Sequence, residues 1–208
     1  MPKLMMGSLL ISLIWLVVMM AISATAQTPI LDTTGQPLRR GVEYYIKPAV
    51  NNSSGGPFTL IDRNGSCPWY VGQENLTSDR GIPVTFSPFV QAENVVMLSK
   101  SFEVEFASGG ATNCTQWTRK WKVSTETDPV TESRLVVTGG NGTVSNYFHV
   151  YQGPEVLNNG SYGLRWCPAE VCPYCRVNCG FVDVLVESGK RLLALKDDSA
   201  FPVVFERA

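Results

Sequence analysis

The sequence predicts an all-β protein, a barrel or a sandwich formed by a single domain. Three observations carry this. About a dozen short runs of β-branched and aromatic residues recur along the chain, several alternating apolar with polar positions as Phe102-Glu103-Val104-Glu105-Phe106 does. Turn-forming clusters separate them at the regular spacing of a sheet protein. No window of 11 or more residues keeps apolar side chains at helical spacing.

Taken in order, the expected strands are Val42–Ile46, Phe58–Ile61, Val84–Phe86, Val95–Leu98, Phe102–Phe106 and Trp117–Val123. They continue with Leu135–Thr138, Tyr147–Tyr151, Leu164–Trp166, Val182–Val186, Leu192–Leu195 and Val203–Phe205. Turns are expected at Asn51–Pro57, Asn64-Gly65, Ser108–Gly110, Gly139–Gly142, Asn158–Gly160 and Ser188-Gly189, where Gly and Asn tolerate the backbone a reversal needs. No Pro/Gly/Ser linker divides the chain, and no internal repeat is visible to the eye.

The first 26 residues stand apart from this pattern. Lys3 gives a positive start, Leu9–Ile22 is apolar except for Ser12, and Ala24-Thr25-Ala26 supplies small residues at the −3 and −1 positions. This is the arrangement of a secretory signal peptide, too short to span a bilayer, which takes about 20 apolar residues. Cleavage after Ala26 would leave 182 of the 208 residues, with 16 basic against 18 acidic side chains and a formal charge of −2. No later stretch is apolar enough to span a membrane. The mature chain, 27–208, is therefore expected to be soluble and secreted, extracellular or vacuolar.

Charged residues make up only 17% of the chain, without a basic block, so a nucleic-acid partner is not expected. With 44% apolar residues the chain is too hydrophobic to be disordered. The single histidine, His149, excludes multi-histidine metal sites and any mechanism needing two imidazoles. It has no identifiable nucleophile partner, since no Gly-x-Ser-x-Gly occurs. Asp128, Glu132, Glu155, Glu170, Asp183, Glu187, Asp197 and Asp198 are scattered and define no acid–base pair. Neither an enzyme nor a cofactor is expected.

In an exported chain, six cysteines read as disulfides, with 15 pairings available. Cys67 and Cys114 stand alone; Cys167, Cys172, Cys175 and Cys179 crowd into 13 residues. The most economical pairing joins Cys67–Cys114 and nests Cys172–Cys175 inside Cys167–Cys179. A zinc cage or a redox Cys-Pro-Tyr-Cys reads less well, because zinc sites use separated pairs and a thioredoxin-like site needs a βαβ context. Neither metal nor an interchain disulfide is expected, which points to a monomer. Seven Asn-x-Ser/Thr sequons, at Asn51, Asn52, Asn64, Asn75, Asn113, Asn141 and Asn159, fit the same compartment. Asn51 and Asn52 overlap and Asn113 flanks a half-cystine, so two to four occupied sites are expected.

The segment Ile30-Leu31-Asp32-Thr33-Thr34-Gly35-Gln36-Pro37-Leu38, followed after five residues by Tyr44-Tyr45-Ile46, resembles the signature of the plant (soybean-type) Kunitz inhibitor family. The similarity continues through Cys67-Pro68, Gly81–Pro88, the cysteine cluster, Lys190–Leu195 and Phe205–Ala208. The extra cysteine pair is similar to the miraculin-like branch. The resemblance implies a β-trefoil, with six strands closed into a barrel and six capping one end as hairpins. It also implies inhibition of an endopeptidase, of the serine class first, through a substrate-like loop matching Ser87, Pro88, Phe89, Val90, Gln91 and Ala92. Pro88 fixes its own φ and biases Ser87 towards extended backbone, and Val90 shares that preference.

Two positions depart from the inhibitory pattern. Val90 stands where trypsin inhibitors of the family carry Arg or Lys, and no basic residue occurs between Arg80 and Lys100. The expected target therefore has a small or apolar specificity pocket, and strong trypsin inhibition is not expected. Arg40 stands where inhibitory members place an Asn behind the loop. Because Arg donates only, it is expected to brace the loop less well than an amide. The alternative reading is a non-inhibitory miraculin-like defence, storage or interaction protein.

Overall fold

The computed structural model describes residues 27–49, 55–76, 80–108, 113–114, 116–152 and 160–208; residues 1–26, expected to be a signal peptide, lie outside them. Among the described residues twelve strands follow one another: β1 (Glu43–Pro48), β2 (Phe58–Ile61), β3 (Tyr70–Gln73), β4 (Val84–Pro88), β5 (Phe102–Phe106) and β6 (Trp121–Val123) come first. The second half holds β7 (Val136–Thr138), β8 (Tyr147–Tyr151), β9 (Tyr162–Trp166), β10 (Gly180–Glu187), β11 (Lys190–Lys196) and β12 (Pro202–Arg207). The one helical feature among the described residues is a 3-10 turn at Val144–Asn146.

The pairings close a ring. β1 lies between β12 and β4, β5 joins β4 to β8, and β9 joins β8 back to β12, all antiparallel. These six strands form a barrel with no free edge, which removes the usual template for unwanted strand pairing. The other six form the hairpins β2–β3, β6–β7 and β10–β11. The hairpins meet one another through β3–β7, β3–β11 and the Leu135–Ala194 bridge, capping one end of the barrel. Three successive four-strand units around one axis make a β-trefoil.

Alternation fills the barrel. In β5, Phe102, Val104 and Phe106 are buried while Glu103 and Glu105 face outward. Phe86 of β4 sits at the centre of the packing, edge-on to Phe102 at 5.4 Å and to Phe205 at 5.5 Å, with Tyr44 at 6.0 Å. Burying one such ring contributes roughly 1.5–3 kcal/mol, and edge-on pairs add to it.

One strand is added and two expected ones change. Tyr70–Gln73 is a strand that the sequence reading passed over, because its apolar run is broken by Gly72. The glycine is there for space: a Cβ would meet the Arg191 carbonyl oxygen at 2.2 Å. Conversely, Val95–Leu98 is not a strand. It contributes only single bridges, Val95 to Arg39 and Met97 to Pro29. Its buried Val96 packs with Ile30 and Leu38 in the core instead, so these apolar residues serve packing against the N-terminal segment. Trp117–Val123 shortens to Trp121–Val123, with Trp117 part-exposed and its ring carrying Lys122 at 5.4 Å.

The disulfides are Cys67–Cys114, Cys167–Cys179 and Cys172–Cys175. The first ties the β2–β3 connection to the β5–β6 connection. The cap carries a second tie. Arg63, between β2 and β3, grips Glu187 at the end of β10 through Nε and Nη2, both at 2.6 Å, and Asp128, between β6 and β7, at 2.5 and 3.1 Å. Its guanidinium also stacks 5.2 Å from the Tyr70 ring. With side-chain exposures of 12% for Arg63, 16% for Asp128 and 20% for Glu187, this clamp is largely dry and joins all three units.

Candidate functional site

The segment matched to the inhibitory loop leaves the barrel at the uncapped end, between β4 and β5. Its first two residues still belong to the ladder, Ser87 opposite Glu103 and Pro88 opposite Phe102. Pro88 is buried; its missing N–H costs the ladder nothing at a strand's last position. Phe89 donates its N–H to the Ser101 carbonyl at 2.8 Å and sets its ring edge-on to Tyr147 at 5.3 Å. Beyond it the chain turns: Glu93 N–H donates to the Val90 carbonyl at 3.0 Å, with Gln91 and Ala92 at the tip. The backbone is thus extended as far as Pro88 and reverses at the tip. Val90 is 41% exposed, and Gln91 and Ala92 are exposed as well.

Behind this turn lies Arg40. Its Nη2 donates to the Pro88 carbonyl at 2.9 Å and the Val90 carbonyl at 3.1 Å, and its Nε to the Glu93 carbonyl at 3.0 Å. Its own N–H donates to the Asn94 carbonyl at 2.9 Å, and the next residue, Gly41, donates to Phe86 at 3.2 Å. One side chain therefore spans the turn while its backbone bridges both stems. Arg40 was expected to brace less well than an amide because it donates only; here every acceptor is a carbonyl, which a donor-only group with a planar fork suits.

The second stem is anchored from the cysteine cluster. Glu170 accepts from Ser101 N–H at 2.7 Å and from Lys100 Nζ at 2.9 Å. Burial opposes its ionisation, but the Ser101 and Lys100 bonds outweigh this and hold the carboxyl below its usual range. Ser101 in turn receives Phe89, so the Cys167–Cys179 segment is linked to the loop through a single residue.

The remaining candidates fall elsewhere. His149 on β8 stands opposite Arg165 of β9; burial first, and the Arg165 charge second, push its pKa down to about 4. It is a neutral, half-buried side chain, and no free thiol exists to serve as a nucleophile. Asn64, Asn75, Asn113 and Asn141 are exposed, while Asn51, Asn52 and Asn159 lie outside the described residues. Among the described residues no group of His, Cys, Asp and Glu is arranged to hold a metal.

Comparison with known proteins meets this geometry. The profile of the legume Kunitz family, described as trypsin and protease inhibitor, matches residues 30–207. A curated relative, Kunitz type trypsin inhibitor 104 of Medicago truncatula, is 40% identical over 199 residues, 93% of each chain. Miraculin of Synsepalum dulcificum is 33% identical over 190 residues, 88% of this chain and 83% of its own. Among solved structures, a Kunitz-type cysteine protease inhibitor from potato superposes with a TM-score of 0.73 at 27% identity, covering 88% of this chain and 98% of that one. The signature at Ile30–Ile46, the twelve-strand trefoil and a profile match over residues 30–207 agree: the chain belongs to the legume Kunitz family of trypsin and protease inhibitors.

Proposed function

We propose that this chain inhibits a serine endopeptidase through Ser87–Ala92, with Val90 entering the specificity pocket. The observation that supports this best is the Arg40 brace, three hydrogen bonds from one guanidinium to the carbonyls of the loop. A loop held before docking loses little conformational entropy on binding. After attack on the bond following Val90, the braced ends stay in place, so the acyl-enzyme is better positioned to re-form the bond than to admit water.

The side chain at the tip selects the target. Trypsin's pocket carries a carboxylate, and seating Val90 there would leave that charge unpaired, at several kcal/mol. The 40%-identical relative is named for trypsin; Val90 instead suits an elastase-like or subtilisin-like pocket, small or apolar. The protein acts as a monomer outside the cell or in the vacuole after losing residues 1–26, a reading supported by the apolar leader and three internal disulfides.

Inhibition constants against trypsin, chymotrypsin, elastase, subtilisin and a papain-type cysteine protease test this, followed by sequencing of any nicked inhibitor. Inhibition of elastase or subtilisin with a nick after Val90 is expected. Tight trypsin inhibition that survives Val90→Asp would overturn the assignment of the loop.

A further inference from the structure

We infer that Asn64 is a glycosylated sequon of the described surface, accepting an oligosaccharide from a lipid-diphosphate donor in the secretory pathway. This rests on the proposed export of the chain. An amide nitrogen is a poor nucleophile because its lone pair is shared with the carbonyl. It becomes competent when the charge that builds on Oδ1, as Nδ2 loses a proton, is stabilised by donors. At Asn64 two donors are already in place: Ser66 Oγ at 2.6 Å and Ser66 N–H at 3.2 Å, both on Oδ1. These bonds span two residues, so the arrangement needs no folded barrel and can form on a chain still being exported. In the transfer, Nδ2 attacks C1 of the first sugar, the C1–O bond to the diphosphate breaks, the diphosphate leaves with the electron pair, and the Nδ2 proton passes to a base of the transferase.

The surroundings admit the product. Asn64, Gly65 and Ser66 are exposed, and a side chain at Gly65 would meet nothing within 4 Å. The sequon of Asn75 is completed by Thr77, outside the described residues, and two others differ. The Thr143 hydroxyl of the Asn141 site is engaged elsewhere, with Ser145 Oγ at 2.7 Å and Asn146 Oδ1 at 3.2 Å. Asn113 adjoins Cys114, buried in its disulfide. The β2–β3 connection holding Asn64 lies at the capped end, whereas β4 runs from the cap to the proposed docking loop, so a glycan at Asn64 leaves that loop clear.

The test is the full chain expressed in a plant secretory host. Enzymatic release of glycans in 18O-water converts each occupied Asn to a labelled Asp read by peptide mass spectrometry. Asn64 is expected to be labelled in the majority of chains and Asn141 in a small minority. Ser66→Ala should abolish the Asn64 label and Ser66→Thr retain it, while Thr143→Ala leaves it unchanged. An exported, disulfide-bonded chain with bare Asn64, or with Asn141 labelled as heavily, overturns the inference alone. A chain that keeps residues 1–26 and is not exported overturns the secretory reading together with it.

Discussion

Arg40→Ala is the perturbation that bears most directly on the loop. It removes three charge-assisted hydrogen bonds, to the carbonyls of Pro88, Val90 and Glu93. Such bonds are worth about 1.5–3 kcal/mol each when dry. The guanidinium is half-buried and the freed carbonyls can turn to water, so about 1 kcal/mol apiece, about 3 kcal/mol together, is the better figure. At 1.4 kcal/mol per factor of ten, the loop then opens on the order of a hundredfold more often. Cleavage between Val90 and Gln91 by an added protease reports this population directly while opening is fast relative to cutting. The nicking rate should rise roughly a hundredfold, and inhibition should weaken by a similar factor. The melting temperature should fall too, by roughly 6–12 °C, because the unfolded chain lacks the same three bonds. Arg40→Lys, with one point of donation in place of a fork, should fall between. A nicking rate in Arg40→Ala within about threefold of the parent would mean that Phe89, through Ser101 and Tyr147, holds the loop unaided.

Other consequences are as definite. Arg63→Met leaves Asp128 and Glu187 largely buried without their cation, which costs about 3–5 kcal/mol; calorimetry should show a fall of roughly 6–20 °C, and a shift of under three degrees would refute the clamp. Arg63, by direct hydrogen bonding, holds both carboxyls below their ordinary range, so the clamp's contribution is complete above about pH 5 and is lost as pH falls below about 4; stability curves of Arg63→Met should be flatter there. His149 is pushed down to about 4 by burial, against an unfolded value near 6.5, so its contribution is present above about pH 6.5 and lost on acidification towards 4; His149→Gln should remove that limb of the pH profile. Val90→Lys supplies the cation that a trypsin pocket pairs with, and trypsin inhibition should strengthen by at least about a hundredfold; no gain would place the specificity residue elsewhere.

Much of the fold was legible because alternation is a local property. Phe102–Phe106 announces itself, as do Tyr147–Tyr151 and Val182–Val186, where Phe102, Phe148, Val150, Val182 and Val184 join or pack against the core while Val186 stays exposed. Tyr70–Gln73 was hidden because its defining feature is an absence, the missing side chain of Gly72 beneath Arg191. Val95–Leu98 misled for the opposite reason: burial against Ile30 and Leu38 selects the same residue types as a strand. The threefold plan left no readable repeat, since each unit fills its share of the core with different volumes, Phe86 in one and Trp121 or Trp166 in others. At the site, Ser87–Ala92 could be located by resemblance, but the role of Arg40 could not. Its partners are main-chain oxygens some fifty residues away, and no side-chain pattern encodes where a carbonyl will point. The Arg63 clamp was hidden in the same way, with Asp128 and Glu187 65 and 124 residues distant.

The pairing of β12 with β1, from Tyr44–Arg207 to Pro48–Val203, closes the barrel beneath the loop. Phe205 of β12 stands edge-on to Phe86, two residues before Pro88 on the strand that carries the loop, so the loop's first stem is seated only when β12 has docked. Loosening this closing strand therefore reaches the loop through a single ring contact, from the far side of the core.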